Sequence, residues 1–192
     1  MTAIPKHKYT LEDYIELEKD SEERWEFFEG EVWSMVGASP THEKICVNTS
    51  ASLLNGLKKS KRNCSVFGSN LRLKVPVYEP YRYPDVTVVC GTPIYENLLG
   101  LEMLVNPLLI VEVLSDSTES FDRGHKFIYY KSILSFKEYL LVSQTEVFVT
   151  LYTKQDDINW VRQDFNSLTD KVFLPFTECE ISLEDIYYDI EF

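Results

Sequence analysis

Two carboxylates set in apolar surroundings, Asp85 and Glu112, are the residues of this sequence best placed to do chemistry. Glu112 interrupts the run Leu108-Leu-Ile-Val-Glu-Val-Leu114, whose lack of polar alternation predicts a strand buried on both faces. An ionised carboxylate there is strongly disfavoured unless it is paired or bound to a metal. Asp85 follows Pro84 and opens a second apolar stretch 27 residues earlier. If the two strands are neighbours, the carboxylates converge, and like charges that close either share a proton or bind a hard divalent cation through oxygen. Mg²⁺, or Mn²⁺ in its place, is the natural occupant. The alternatives are a strand-start role for Asp85 and an ion pair between Glu112 and a buried arginine.

The segment after Glu112 adds a base. Asp122, Lys126 and Tyr130 stand at i, i+4 and i+8, so a helix here carries all three on one face, with Asp122 to Lys126 in the favourable orientation for an ion pair. A helix returning along the central strand brings the Lys126 ammonium towards the carboxylates, where it can hold or deprotonate a water and offset charge on a pentavalent phosphate. Taken alone, the Asp-x-x-x-Lys spacing equally describes a surface bridge.

The elements that must position these residues are legible in outline. Thr10-Leu-Glu-Asp13 has capping-box spacing and opens a helix to about Lys19. Residues 25–28 and 31–36 predict two strands around Gly30. A long helix is predicted from His42 to about Lys59, followed by strands at 64–67, 70–75 and 85–90, with 80–84 as a loop delivering Asp85. Residues 91–106 look irregular, with a short helix near 95–99. The central strand at 108–114, a helix at 121–133, a hairpin at 138–143 and 146–154, strands at 160–165 and 171–174, and a last short helix from Ser182 complete the pattern. The fold class is α/β: a mixed sheet flanked by helices, with antiparallel hairpins at both ends, in one domain spanning 1–192. No glycine-rich phosphate loop is present.

Composition bounds the function. The net charge of −12 argues against a protein that coats DNA, since such binding is driven by Lys and Arg displacing counterions. Ten acids lie within residues 12–31 and six from Glu178 onward, but Lys58, Lys59, Lys61, Arg62, Arg72, Lys74 and Arg82 face only Glu79 between 58 and 82. That segment is either a local basic surface or a solvated helix end. With no apolar membrane-length stretch and no signal-peptide core at the N-terminus, the expected location is the cytoplasm, with no membrane partner. The four cysteines form no Cys-x-x-Cys unit, and the expectation is buried reduced thiols with neither zinc nor a disulfide framework.

The ordered series Trp25-Glu-Phe-Phe-Glu-Gly-Glu31, Ser39-Pro-Thr-His42, Tyr83-Pro-Asp85-Val, Ile110-Val-Glu112-Val-Leu-Ser-Asp-Ser-Thr118, Asp122-Arg-Gly-His-Lys126-Phe-Ile-Tyr-Tyr130 and Lys137-Glu-Tyr-Leu-Leu-Val142 resembles the Uma-type restriction endonuclease group of the PD-(D/E)xK nuclease superfamily. The resemblance covers most of the chain. It implies a restriction-endonuclease-like fold and a metal site made by Asp85 and Glu112, with Glu26 as a further acid and the Val113 carbonyl as a ligand. Lys126 would be the catalytic lysine, with Asp122 and Tyr130 in support. The superfamily's usual lysine position, two residues after the acid, is Leu114 here, so the lysine would have moved to the following helix. His42 stands either near the site or simply at a helix start.

The reading that follows is a Mg²⁺-dependent endonuclease acting on DNA, in which a need to cut two strands favours a homodimer. The alternative is a nuclease fold kept as a binding or assembly module with little catalysis, suggested by the acidic surface. A general acid and base pair acting on a sugar has only the two carboxylates in its favour.

Overall fold

The computed structural model describes residues 8–21, 23–34, 37–77, 81–116 and 118–192, with the side chain of Tyr81 left out. Met35 and Val36 of the second predicted strand, and Pro80 of the predicted loop, lie outside the described residues.

Helix α1 (Leu11–Asp20) starts at Thr10, whose side chain accepts from the Asp13 N–H while Asp13 accepts in return from the Thr10 N–H. This reciprocal cap is the one its sequence spacing predicts. Strands β1 (Trp25–Phe28) and β2 (Glu31–Ser34) pair antiparallel around Glu29 and Gly30, with Gly30 at φ 82°. Helix α2 (Pro40–Ser60) is capped by Ser39 with a proline in its first turn. Strands β3 (Cys64–Gly68), β4 (Leu73–Lys74), β5 (Tyr81–Arg82) and β6 (Val86–Cys90) follow.

Residues 91–106 correct the sequence expectation. They hold a hairpin of β7 (Tyr95–Leu98) and β8 (Leu101–Leu104), with no helix at 95–99. Leu99 and Gly100 both take positive φ, 51° and 96°, the backbone of a tight two-residue hairpin turn. The glycine is an available signal for that turn, but Leu99 carries none. Two smaller corrections apply nearby: the strand predicted at 70–75 is confined to Leu73–Lys74, and Tyr81–Arg82, expected as loop, pairs with β1 and β4.

The central strand β9 (Leu109–Leu114) is buried at every position. It leads into α3 (Glu119–Phe121), a π-helical turn at Asp122–Lys126, and α4 (Phe127–Tyr130). The remainder is β10 (Glu138–Ser143), β11 (Val149–Lys154), β12 (Trp160–Phe165), β13 (Lys171–Leu174), β14 (Cys179–Ser182) and α5 (Leu183–Ile186).

These strands form a six-stranded mixed sheet in the order β12-β11-β10-β9-β6-β3, a second six-stranded sheet in the order β2-β1-β5-β4-β8-β7, and the ribbon β13-β14. In the mixed sheet only β9 and β10 run parallel; the helical crossover between them carries Asp122, Lys126 and Tyr130. Leu109, Val111 and Val113 point towards α2 and pack with Ile45, Leu53 and Leu57. Ile110 and Leu114 point the opposite way, into a cluster with Phe127, Tyr130, Phe136 and Tyr139. Glu112 lies midway between them on the same face and so opens onto the crossover helix.

The cysteines also depart from expectation. Cys64 and Cys90 are directly opposed across β3 and β6 and form a disulfide, while Cys46 and Cys179 are free thiols. A separation of 26 residues conceals this pairing in the sequence. Only the antiparallel register brings the two side chains together.

Candidate active site

The last paired residues of β6 and β9 are Val86 and Val111, so one step further along places Asp85 opposite Glu112. There the main-chain ladder gives way to a side chain: the Val113 N–H donates to Asp85 Oδ2 at 2.7 Å. The residue after Pro84 thus takes the acceptor place that a strand carbonyl would otherwise fill, which fixes its carboxylate at the end of the central strand.

Glu112 is 3% exposed. Tyr130 donates its hydroxyl to Glu112 Oε1 at 2.8 Å, and Lys126 Nζ stands 3.2 Å from Oε2 and 3.0 Å from Asp122 Oδ1. All three residues of the predicted helix face therefore converge on the central strand. The turn that carries Asp122 and Lys126 is wider than an α-helix, a form frequent at functional sites, and Tyr130 follows in α4. Tyr139 of β10 donates to the Asp122 carbonyl at 3.0 Å and ties that turn to the sheet. Among the described residues, no arginine pairs with Glu112.

Glu26 of β1 belongs to the same electrostatic unit. Its Oε2 pairs with Arg82 Nη1 at 2.7 Å, and its Oε1 accepts from the Tyr83 N–H at 3.2 Å. Arg82 is itself 1% exposed and lies near the rings of Phe28, Trp33 and Phe121, with centroid distances of 5.6, 5.8 and 5.0 Å. The sequence reading missed this arginine as a site residue. Its place two residues before the Pro84-Asp85 step was an available signal, but its partner lies 56 positions away.

The charges do not balance within this cluster. Burial pushes the Glu112 carboxyl well above the usual range; Lys126 opposes that shift, whereas Asp122, Asp85 and Glu26 reinforce it. Burial disfavours the Lys126 ammonium, but Glu112, Glu26 and Asp122 more than compensate, and lysine stays protonated. For Glu26, burial is outweighed by Lys126 and Arg82, which hold its carboxyl below the usual range. The cost of ionising a carboxyl therefore falls chiefly on Glu112, beside Asp85, where a hard cation with oxygen ligands would relieve it. The donor set, two carboxylates beside a main-chain carbonyl, fits Mg²⁺ or Mn²⁺.

His42, near the start of α2, lies at the site and not merely at a helix end. Its Nε2 is 3.3 Å from Asp85 Oδ2, and its ring also hydrogen-bonds at the Val113 backbone. Burial lowers its proton affinity, but Asp85 and Val113 raise it above the usual value. One turn on, the Cys46 sulfur is 3.5 Å from His42 Nδ1. Cys46 was not anticipated, although i, i+4 spacing from His42 was there to be read.

Residues 11–184 match the family model Uma2, described as "Putative restriction endonuclease". The chain belongs to the Uma2 family. Two proteins from Synechocystis sp. (strain ATCC 27184 / PCC 6803 / Kazusa), both described as uncharacterized, are similar to the chain. One is 32% identical over 190 residues, covering 99% of this chain and 97% of the relative. The other is 37% identical over 153 residues, covering 79% and 84%. A solved structure described as "a putative nuclease belonging to DUF820", from Anabaena variabilis ATCC 29413, superposes with a TM-score of 0.68 at 18% identity, over 87% of this chain and 91% of that one. That likeness shows that the Uma2 chain shares the fold of that structure, a mixed sheet with flanking helices. Among the described residues, no helix is long and apolar enough to cross a membrane.

Proposed function

We propose that this Uma2 protein is a divalent-metal-dependent endonuclease that hydrolyses DNA phosphodiester bonds. The observation that carries the reading is the cluster of carboxylates at the β6–β9 seam: Glu112, Asp122 and Glu26 act on the buried Lys126, Glu26 is also paired with Arg82, and Asp85 adds to the charge around Glu112. Asp85, Glu112 and the Val113 carbonyl would hold Mg²⁺ or Mn²⁺, which supplies Lewis acidity and lowers the pKa of a bound water. Lys126 positions the attacking water and offsets charge on the phosphate. Tyr130 and Asp122 orient Glu112 and Lys126. Arg82 fixes Glu26 as the outer acid of the pocket.

The test is Mn²⁺ titration by calorimetry alongside plasmid cleavage, using Asp85→Asn and Glu112→Gln. Both variants are expected to keep the far-ultraviolet circular dichroism of the parent while losing Mn²⁺ binding and cleavage. A parent protein that binds no divalent ion at millimolar concentration would overturn the proposal.

The net charge of −12 favours one second reading, a nuclease fold that serves as a binding or assembly module. A salt titration of DNA binding separates the two. Affinity that is unmeasurable even at low salt supports the module, whereas affinity that falls steeply with salt supports the nuclease.

A further inference from the structure

Nothing in the proposed hydrolysis uses a thiol, yet one lies against the site. His42 and Cys46 project from the same face of α2, and Asp85 approaches from the start of β6. One ligand atom from each of the three residues lies within 4.8 Å of the other two. The cluster is partly buried and still reachable, with the His42 and Asp85 side chains 14% and 13% exposed.

Its donors differ in kind from those of the carboxylate pocket. Imidazole and thiolate discriminate against Mg²⁺, which takes oxygen, and select borderline-soft ions such as Zn²⁺ or Co²⁺. Bonds of roughly 2.0–2.3 Å to a tetrahedral ion separate its ligands by about 3.3–3.8 Å. The separations already present, 3.3 Å from His42 to Asp85 and 3.5 Å from His42 to Cys46, lie in that range. They involve the two different ring nitrogens, so binding requires the imidazole to turn one nitrogen to the ion and the set to close by about 1 Å. Three protein ligands with a fourth position left to water is an arrangement proteins commonly use for zinc.

We propose that His42, Cys46 and Asp85 form a second cation site, specific for a borderline-soft transition-metal ion and adjoining the Asp85–Glu112 pocket. The ion binds the thiolate of Cys46, the thiol proton passing to solvent on binding. Asp85 is common to both sites, so occupancy here draws it away from the hard cation. The inference goes beyond the nuclease reading and does not depend on cleavage, because its readout is spectroscopic.

The experiment is titration of the full chain with Co²⁺ in the absence of added thiol, with Zn²⁺ and Mg²⁺ as competitors. The expected result is one Co²⁺ per chain, visible ligand-field bands of a tetrahedral ion, and a near-ultraviolet thiolate-to-cobalt charge-transfer band. Zn²⁺ displaces these signals and excess Mg²⁺ does not. Cys46→Ser abolishes the charge-transfer band, and His42→Ala weakens Co²⁺ binding by about tenfold or more, a direct ligand mattering no less than an outer one. Cys179→Ser, which alters the other free thiol, leaves the band unchanged. Glu112→Gln also retains it while losing Mn²⁺-dependent cleavage, so failure of the nuclease reading and failure of this site are distinguishable. Absence of the charge-transfer band, or its survival in Cys46→Ser, overturns the proposal.

Discussion

Lys126 Nζ lies 3.2 Å from Glu112 Oε2, both side chains being at most 10% exposed, so the ammonium is the principal counter-charge of the central strand's carboxylate. A buried pair of this kind is costly to break, because the surviving charge is left without compensation. Lys126→Met is expected to lower stability by about 3 kcal/mol and to abolish the proposed cleavage. In a Glu112→Gln background the same substitution should cost much less. Urea denaturation of the four proteins of this double-mutant cycle measures the difference, and equal costs in both backgrounds would show that the two residues are not coupled.

Tyr130 makes a separable contribution. Its hydroxyl donates to Glu112 Oε1 from a fully buried position, and Phe preserves the ring packing against Phe136 and Tyr139. Tyr130→Phe should lose about 1–3 kcal/mol, the cost of leaving a buried acceptor without its donor. Weaker Mn²⁺ binding is expected too, as one Glu112 oxygen loses its orienting partner. Chemical denaturation and calorimetry on the same preparation check both expectations; unchanged stability would mean that the hydroxyl is satisfied elsewhere.

Glu138 supplies a pH dependence away from the candidate site. It is fully buried at the start of β10, and the Phe176 N–H donates to its Oε1 at 2.7 Å. Burial pushes its carboxyl up to about 7, the hydrogen bonding at Phe176 and Thr177 only partly opposing this. Between the ordinary value of 4.5 and about 7 the folded chain therefore holds a proton that the unfolded chain releases. Stability falls as pH rises through that window, by about 3 kcal/mol from this group. Glu138→Gln removes that loss, so the variant should gain on the parent as pH increases from 4.5 to 7. Parallel stability curves for the two proteins would refute the assignment.

The cross-strand pair Cys64–Cys90 leads to a count of thiols. Denatured without reductant, the chain should show two reactive thiols out of its four cysteines, and four after reduction. Replacing Cys64 and Cys90 by serine should cost about 2–4 kcal/mol through the freed denatured chain. Mass spectrometry after alkylation reads the first outcome and thermal denaturation the second. Four reactive thiols before reduction would exclude the bond.

Much of the site was legible before the fold was known, for local reasons. A carboxylate inside an apolar run requires a partner wherever the strand lies, and residues at i, i+4 and i+8 share a helix face in any context. Glu112, Lys126 and Tyr130 were named on those grounds, and the crossover between the two parallel strands brings them together. The capping box of α1, the Gly30 turn and the long helix α2 were likewise written in short-range patterns. The hairpin at 95–104 was not, since its turn uses a positive φ at Leu99, a residue type that gives no hint of one.

What tertiary structure alone decided are the pairings between distant positions. Strand register sets Asp85 beside Val113 and Cys64 opposite Cys90, and sheet order brings Arg82 to Glu26. The packing of α2 on the mixed sheet carries His42 and Cys46 to Asp85, 43 and 39 residues further along the chain. Composition and periodicity specify which residues need a partner, because burial energetics act at each residue. They do not specify which partner, because a one-residue change of register would place a different side chain at each contact.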